Sequence, residues 1–309
     1  MRIAVIDLGT NTFNLLVAES GRGRHIEVLY RNEIGVKIGQ GGINRKIITE
    51  GAFQRGMAAV TRQMETARQY HPDKIVVVAT SGIRSADNGS AFIEKVHQDL
   101  NVPVEVVSGH QEAGLIYRGV RQSVNLGEQP ALIIDIGGGS NECIIASEHH
   151  ILWKQSFDIG MARVLEKFQP SDPITQAEIE KIRDYYHHGL ADLRWAYHQY
   201  QPGMFVGCAG TFESIRSVLS AEGLLDHDLA DQPCIKIPHR HFLQLHHKLI
   251  RSTSEERQNI KGLELFRVDM IVLASIFVNF IMEKFGFEQF VQSSYAIKEG
   301  VADRDLNGE

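Results

Sequence analysis

The sequence has few cysteines, no long apolar run and no excess of basic residues. Its 309 residues include only Cys143, Cys208 and Cys234, which form no paired motif. This spacing argues against a disulfide framework and a cysteine zinc site, and it favours a reducing, cytoplasmic location. The net charge of −6 argues against a nucleic-acid-binding surface, so a bound anion would need a local patch or a metal.

Membrane insertion is also not expected, because no apolar segment reaches the length of a membrane span. The most apolar segment, Met270–Met282, carries Ser275 and Asn279 and predicts a buried helix. Asp7 interrupts the apolar N-terminal stretch, which therefore does not resemble a signal peptide. A chain of this length, 43% hydrophobic and 23% charged, is long enough for two globular domains.

A glycine-rich stretch, Asp135–Ser140, lies between the apolar runs Ala131–Ile134 and Cys143–Ala146. The pattern predicts a strand, a tight turn and a second strand. Three consecutive glycines let backbone amides approach an anion, and a carboxylate at the end of the first strand is a suitable oxygen ligand for Mg²⁺. Taken alone, the stretch is explained better as an ordinary hairpin turn.

The same design occurs a second time near the N-terminus. Asp7 ends an apolar run, and a small polar turn, Gly9–Thr12, follows it. Asp7 and Asp135 lie 128 positions apart, and this offset also relates Gly9 to Gly137, Ala18 to Ala146 and Val77–Gly82 to Phe205–Gly210. The repeat predicts two similar α/β domains whose Asp-Gly loops face each other across a cleft, and it favours a phosphate site.

The order of predicted elements is similar in the two halves. Strands are predicted at Arg2–Gly9, Thr12–Glu19, His25–Ile34, Lys74–Ala79, Val104–Val107 (short and buried), Ala131–Ile136, Asn141–Ala146, Ile151–Phe157, Met204–Gly207 and Phe287–Gln292. Helices are predicted at Thr49–Tyr70, Asn88–Leu100, Gly109–Arg121, Pro173–Tyr200 (with Thr175 and Glu178 as a capping box), from Gly210, at His239–Arg251, Arg267–Phe285 and Tyr295–Leu306. Turns or irregular segments are predicted around Gly23, at Lys37–Asn44, Thr80–Arg84 and Gly223–Pro238.

Five polar or small residues end predicted strands or directly follow them: Asp7, Thr80, Ser108, Asp135 and Cys208. Parallel strands with crossover helices bind ligands at their carboxyl ends, so we expect these five positions to converge on one site.

Two further side chains suit phosphate chemistry at such a site. Glu112 lies in the predicted first turn of a helix, where it could complement the helix dipole or act as a general base. Arg84 follows the Thr80–Gly82 turn, where it could bind phosphate with two hydrogen bonds or form a surface ion pair. The residues alone leave both alternatives open.

Five segments, in the order IDLGTNTFNLLVAE, ATSGIRSADN, SGHQEAGLIY, IDIGGGSNE and GCAGT, resemble the exopolyphosphatase/guanosine pentaphosphate phosphohydrolase family. That family belongs to the acetate-and-sugar-kinase/Hsp70/actin superfamily. The resemblance implies two duplicated ribonuclease H-like (actin-like ATPase) domains flanking a central cleft. The first is expected to comprise residues 1–120 plus about 295–309, and the second residues 121–294. Since the chain ends at Glu309, it resembles the short, two-domain members.

The resemblance also implies roles for individual residues. Glu112 matches the catalytic glutamate that activates water, and Arg84 matches an arginine that holds a phosphate. Asp135 and Glu142 match acidic residues near the metal, which Asp7 faces from the other domain. The matched phosphate-binding positions are Thr10, Asn11, Gly137, Gly138, Gly139 and Ser140.

The sequence departs from the family pattern at a few positions. Gln111 replaces an acidic residue common in relatives, and Gly114 replaces a usual arginine. Near the C-terminus, SSYAIKEG resembles S-D-Y-G-L-R-E-G with substitutions at Ser294, Ala296 and Lys298. These changes bear on substrate preference more than on reaction type.

The function expected from these residues is metal-dependent release of terminal orthophosphate from inorganic polyphosphate, guanosine pentaphosphate (pppGpp) or both. Mg²⁺ is the expected cofactor, although another divalent cation would fit the same ligands. Neither nucleic acid nor membrane is an expected partner, and a homodimer follows from the resemblance only. The alternatives are an ATP-dependent small-molecule kinase, a nucleotide switch like actin or Hsp70, and a polyphosphate or alarmone sensor with little turnover.

Overall fold

A computed structural model describes residues 1–21, 25–225 and 232–308. The predicted turn residue Gly23 and positions 226–231 of the predicted irregular segment lie outside these ranges. The chain divides into two compact units. The first unit comprises Met1–Gln122, Gly137–Ser140 and Tyr295–Glu309, and the second comprises Ser123–Ile136 and Asn141–Ser294.

Eleven strands and twelve α-helices are found in the described residues. The strands are β1 Arg2–Leu8, β2 Thr12–Ser20, β3 Ile26–Gly35, β4 Lys74–Ala79, β5 Val104–Val106, β6 Ala131–Ile136, β7 Asn141–Ala146, β8 Ile151–Phe157, β9 Met204–Cys208, β10 Cys234–Pro238 and β11 Gln289–Ser293. The helices are α1 Glu50–Gln69, α2 Ser81–Arg84, α3 Gly89–Leu100, α4 Gly109–Arg121, α5 Met161–Phe168, α6 Gln176–Gly189, α7 Ala191–Tyr200, α8 Ala209–Ala221, α9 His239–Arg251, α10 Ser254–Gln258, α11 Ile271–Phe285 and α12 Ile297–Asn307. None of these helices is both long and apolar enough to cross a bilayer.

Each unit is built on one mixed sheet. The strand order is β3-β2-β1-β4-β5 in the first unit and β10-β11-β9-β6-β7-β8 in the second. β1 pairs antiparallel with β2 and parallel with β4, and β6 pairs in the same way with β7 and β9. The 128-residue sequence repeat therefore corresponds to a repeated arrangement of strands.

The core of the first unit forms where apolar strands pack against helices. Both α1 and α12 contact the central strand β1, and its run of Ile3–Ile6 is fully buried, as expected for a strand covered on both faces. Phe13 of β2 and Phe92 of α3 are also fully buried and pack edge to face, 6.3 Å between ring centroids. Burial of each such side chain contributes about 1.5–3 kcal/mol, and this packing fixes the strand ends that carry the site.

The structure corrects several predicted elements. β5 is an edge strand that is largely exposed, with Val106 43% accessible, so the prediction of a buried strand was wrong. The predicted long helix Pro173–Tyr200 is two helices, α6 and α7, separated at Leu190. The predicted capping box of α6 is confirmed, since the Thr175 side chain accepts from the backbone N–H of Glu178 and the Glu178 side chain accepts from the backbone N–H of Thr175.

Three more boundaries differ from the prediction. The predicted irregular segment Gly223–Pro238 ends in an edge strand, β10, which pairs antiparallel with β11. The predicted Thr80–Arg84 turn contains the short helix α2. The helix predicted from Arg267 begins at Ile271, after a 3₁₀ turn at Leu265–Arg267.

Candidate active site

The carboxylate of Asp7 is buried near the end of β1, where only 6% of the residue is accessible. Its Oδ2 accepts a 3.2 Å hydrogen bond from Nδ2 of Asn14, the residue directly opposite on β2. No described residue donates a hydrogen bond to Oδ1. Burial raises the pKa of Asp7 to about 6, against the opposing effects of the Lys298 charge and the Asn14 hydrogen bond.

Two turns that differ by 128 positions close with the same backbone hydrogen bond. The Gly9 N–H donates to the Thr12 carbonyl at 3.1 Å, and the Gly137 N–H donates to the Ser140 carbonyl at 3.0 Å. The repeat seen in the sequence therefore holds for the turn geometry as well. Although β6 and β7 belong to the second unit, the loop Gly137–Ser140 between them belongs to the first.

Within the first unit, this loop packs against predicted phosphate-binding residues. A Cβ on Gly138 would lie 2.6 Å from the Asn11 side-chain carbon Cγ. A Cβ on Gly139 would lie 2.6 Å from Ser81 Oγ and 2.7 Å from Thr10 Oγ1. Because real Cβ atoms do not approach other atoms so closely, the backbone can come this near to the polar side chains only with glycine at both positions. The structure thus brings Thr10, Asn11 and the glycine loop together.

Glu112 is positioned by the first turn of α4. Ser108 caps the helix with a reciprocal box, in which Ser108 Oγ accepts from the Gln111 N–H and the Ser108 N–H donates to Gln111 Oε1 at 2.8 Å. Glutamine and glutamate serve equally at this capping position, which gives Gln111 a structural role. The next residue, Glu112, is only 7% accessible and points away from bulk solvent.

Arg84 and Glu112 form an ion pair across α2 and α4. Arg84 Nη1 donates to Glu112 Oε2 at 2.8 Å and to the Val107 carbonyl at 2.7 Å. Their side chains are 21% and 10% accessible, so this pair is not an exposed surface ion pair. The predicted general base and a predicted phosphate ligand are therefore in direct contact.

Helix α12 packs closely against α4 in the same unit. A Cβ on Gly119 would lie 1.9 Å from the Ala296 carbonyl oxygen, and one on Gly300 would lie 1.8 Å from the Leu115 carbonyl oxygen. The two backbones can approach this closely only because glycine has no Cβ. This crossing fixes α4, which carries Glu112, against the helix that carries Lys298.

Asp135 and Glu142, the other predicted metal ligands, face each other in the second unit. They are directly paired residues of β6 and β7, 8% and 1% accessible, and therefore share one face of the sheet. Ser156 Oγ donates to Glu142 Oε1 at 2.7 Å. Their assignment as metal ligands stays a prediction.

Two residues with potential functions were missed at the sequence level. Asn14, the partner of Asp7, corresponds to Glu142 in the 128-residue repeat, so the offset alone could have identified it. Ser81 lies within the Thr80–Gly82 turn that the sequence indicates, but its contact with Gly139 depends on tertiary packing.

The residues of the first unit fit a magnesium ion. A buried carboxylate oxygen without a donor, such as Asp7 Oδ1, is suited to a cation or a cation-bound water. In the described part of the chain, no three His, Cys, Asp or Glu side chains are grouped to hold a metal. Mg²⁺ keeps several waters and needs only one or two carboxylates, so such a group is not required.

The chain is similar to known proteins over almost its whole length. Residues 16–309 match the Ppx/GppA phosphatase family. A Mycobacterium tuberculosis protein named Exopolyphosphatase 2 is 28% identical over 313 residues, which cover 97% of each chain. The crystal structure of an exopolyphosphatase from Cytophaga hutchinsonii is 32% identical, with a TM-score of 0.94 and complete coverage of both chains. The Aquifex aeolicus member of the Ppx/GppA family is 21% identical, with a TM-score of 0.80 and 99% of this chain covered.

The predicted fold class is confirmed, because the two-sheet α/β chain matches the two-domain, actin-like fold of these structures. The suspected resemblance is confirmed by a match that spans almost the whole sequence. The chain belongs to the Ppx/GppA phosphatase family.

Proposed function

We propose that this protein hydrolyses the terminal phosphoanhydride bond of inorganic polyphosphate and releases orthophosphate. Guanosine pentaphosphate presents the same terminal bond and is the proposed second substrate. The observation that carries the proposal is the buried contact between Arg84 and Glu112. Arg84 lies one helical turn after Ser81, whose hydroxyl lies beside Gly139. The names of the M. tuberculosis and C. hutchinsonii relatives support the same activity.

Glu112 is the proposed general base. A water attacks the terminal phosphorus and gives its proton to the Glu112 carboxylate, while the bond from phosphorus to the bridging oxygen breaks. The shortened polyphosphate leaves with the bonding electron pair. Phosphoryl transfer depends mainly on positioning and charge stabilisation, so a carboxylate held in a fixed position suits the role of general base.

Arg84 has two proposed tasks. Its Nη1 fixes the carboxylate of Glu112 and is itself fixed by the Val107 carbonyl. Both hydrogen bonds that Arg84 donates within the described residues come from Nη1, which leaves Nε and Nη2 for a phosphoryl oxygen. The loop Gly137–Ser140 and the side chains of Thr10 and Asn11 are the proposed further phosphate ligands.

Asp7, Asp135 and Glu142 are the proposed residues for holding Mg²⁺, directly or through water. When bound, the ion supplies positive charge to the phosphoryl oxygens. The contribution of this chain is the acidic side chains, of which Asp7 is buried with one oxygen that accepts no hydrogen bond from the described residues.

The test is phosphate release from long-chain polyphosphate, pppGpp and ATP in the presence of Mg²⁺. We expect release from polyphosphate, pppGpp or both, and a loss of about a hundredfold or more in Glu112→Gln with the fold retained. Glu94→Gln, an exposed change on α3, is the matched control and should be fully active. Turnover of ATP alone, with a requirement for an acceptor, would assign the protein to the kinases instead. Near-normal turnover of Glu112→Gln would remove Glu112 from the role of base.

A further inference from the structure

The hydroxyl of Ser81 is buried without a hydrogen-bond partner among the described residues. Only 3% of the residue is accessible, and Oγ makes no hydrogen bond. A buried polar group in this state costs about 1–3 kcal/mol, so native proteins rarely retain one without a reason.

Other buried serines of this protein donate their hydroxyls to backbone carbonyls. Ser275, with no accessible surface, donates its hydroxyl to the Val272 carbonyl at 2.7 Å. Ser252 likewise donates to the Leu249 carbonyl at 3.0 Å. Ser81, on the short helix α2, makes no equivalent bond to its own backbone, so its hydroxyl is available to a ligand.

The surroundings of Ser81 indicate the ligand. Ser81 Oγ and Thr10 Oγ1 both lie within 2.7 Å of the point where a Gly139 Cβ would stand, so the two hydroxyls flank the glycine loop. Ser81 and Arg84 are three positions apart on one helical turn and therefore share a face. One turn of helix thus presents a hydroxyl at the glycine loop and a guanidinium at Glu112.

We propose that Ser81 is a substrate-binding residue whose hydroxyl donates a hydrogen bond to a non-bridging oxygen of the terminal phosphoryl group. This inference rests on the proposed function. A hydrogen bond to a charged oxygen satisfies the buried hydroxyl only when substrate is bound, and it orients the phosphoryl group between the glycine loop and Glu112.

The test compares stability and binding in Ser81→Ala. Because no hydrogen bond is lost in the free protein, the melting temperature should stay equal or rise. The affinity for tripolyphosphate with Mg²⁺, measured by calorimetry in a Glu112→Gln background so that the ligand stays intact, should fall about tenfold or more. Ser275→Ala is a control for which the reverse results are expected. It should lower the melting temperature and leave tripolyphosphate binding unchanged.

Three outcomes would overturn the assignment of Ser81. They are unchanged tripolyphosphate affinity when Ser81→Ala is added to Glu112→Gln, unchanged KM and kcat for phosphate release by Ser81→Ala alone, and a lower melting temperature or failure to fold of Ser81→Ala, which would make Ser81 structural. Failure of the proposed function is a separate result, since the unmodified protein would then release no phosphate from any polyphosphate.

Discussion

Nη1 of Arg84 donates a 2.8 Å hydrogen bond to Oε2 of Glu112, and both side chains are largely buried. The contact joins two residues to which the family resemblance gives different roles, one at the phosphate and one at the water. A charged donor on one carboxylate oxygen restrains how that carboxylate can rotate. Arg84 is therefore in a position to couple the proposed phosphate binding to the orientation of the proposed general base.

Substitution of Arg84 should damage turnover more than stability. We expect Arg84→Ala to lower kcat/KM about a hundredfold, because the ion pair and a phosphate contact are lost together. Arg84→Lys keeps the charge without the planar fork and should recover only part of the rate. Arg62→Ala, an exposed arginine on α1, is the matched control. In a double-mutant cycle with Glu112→Gln the two losses should not add, and additive losses would show that the residues act independently.

Asp7 predicts a specific dependence of stability on pH. Its pKa rises from 3.8 to about 6 on folding, so the folded protein holds this proton more tightly than the unfolded chain. The ionisation cost is absent below pH 3.8, grows between pH 3.8 and 6, and is fully present above pH 6. Asp7→Asn should therefore raise the free energy of unfolding at pH 7.5 by about 1–3 kcal/mol in the absence of metal. At pH 4 the difference should be small.

The same variant tests the metal assignment without an activity measurement. Millimolar Mg²⁺ should raise the melting temperature of the unmodified protein, because a ligand that binds only the folded state stabilises it. Asp7→Asn should lose this increase. An equal increase in both proteins would exclude Asp7 as a magnesium ligand.

Gly139 should tolerate no side chain. In Gly139→Ala the new methyl group would meet the hydroxyls of Ser81 and Thr10, so the loop must move away from them. We expect phosphate release to fall by more than tenfold and the melting temperature to fall as well. Gly51→Ala, in the first turn of α1 with only a flexible arginine nearby, should be neutral or slightly stabilising. Full activity in Gly139→Ala would contradict the assignment of the loop to phosphate.

The glycines at the contact between α4 and α12 should also tolerate no side chain. Alanine at Gly119 or Gly300 would overlap a backbone carbonyl oxygen of the other helix. Each variant should lose about 1–3 kcal/mol or more of the free energy of unfolding, measured by urea denaturation. The double variant should lose less than the sum, since one separation of the helices relieves both overlaps. Wild-type stability in either single variant would show that the helices are not held in this contact.

Local sequence patterns were sufficient for much of the fold and for some of the site. The apolar run before Asp7 and the turn after it predict β1, β2 and the position of the carboxylate, because each depends on neighbours in the chain. The same local pattern at Asp135–Ser140 predicts the hairpin of β6 and β7, and the repeat relates the two hairpins. The break at Leu190 follows Gly189, a residue type that commonly marks the end of a helix.

Other features depend on contacts between distant residues. The exposure of Val106 follows from the place of β5 at the sheet edge, which the short segment itself does not encode. β10 has alternating Ile235 and Ile237, but its strand character requires the partner β11, more than 50 positions later. The hydroxyl of Ser81 has no partner among the described residues because packing there removes water and provides no acceptor.

The packing of α12 on α4 has a consequence for the order of folding. Gln122 Nε2 donates to Asp303 Oδ1 at 2.9 Å across 181 positions of sequence, so the first unit contains a helix made after the whole second unit. During synthesis, α4 is made before α12, so its face around Gly119 stays uncovered until α12 has been translated. Contacts of such high separation slow folding and expose intermediates to aggregation. The residues that fix the position of Glu112 are thus translated only after the second unit, and a growing chain would complete its candidate site only once that unit has been made.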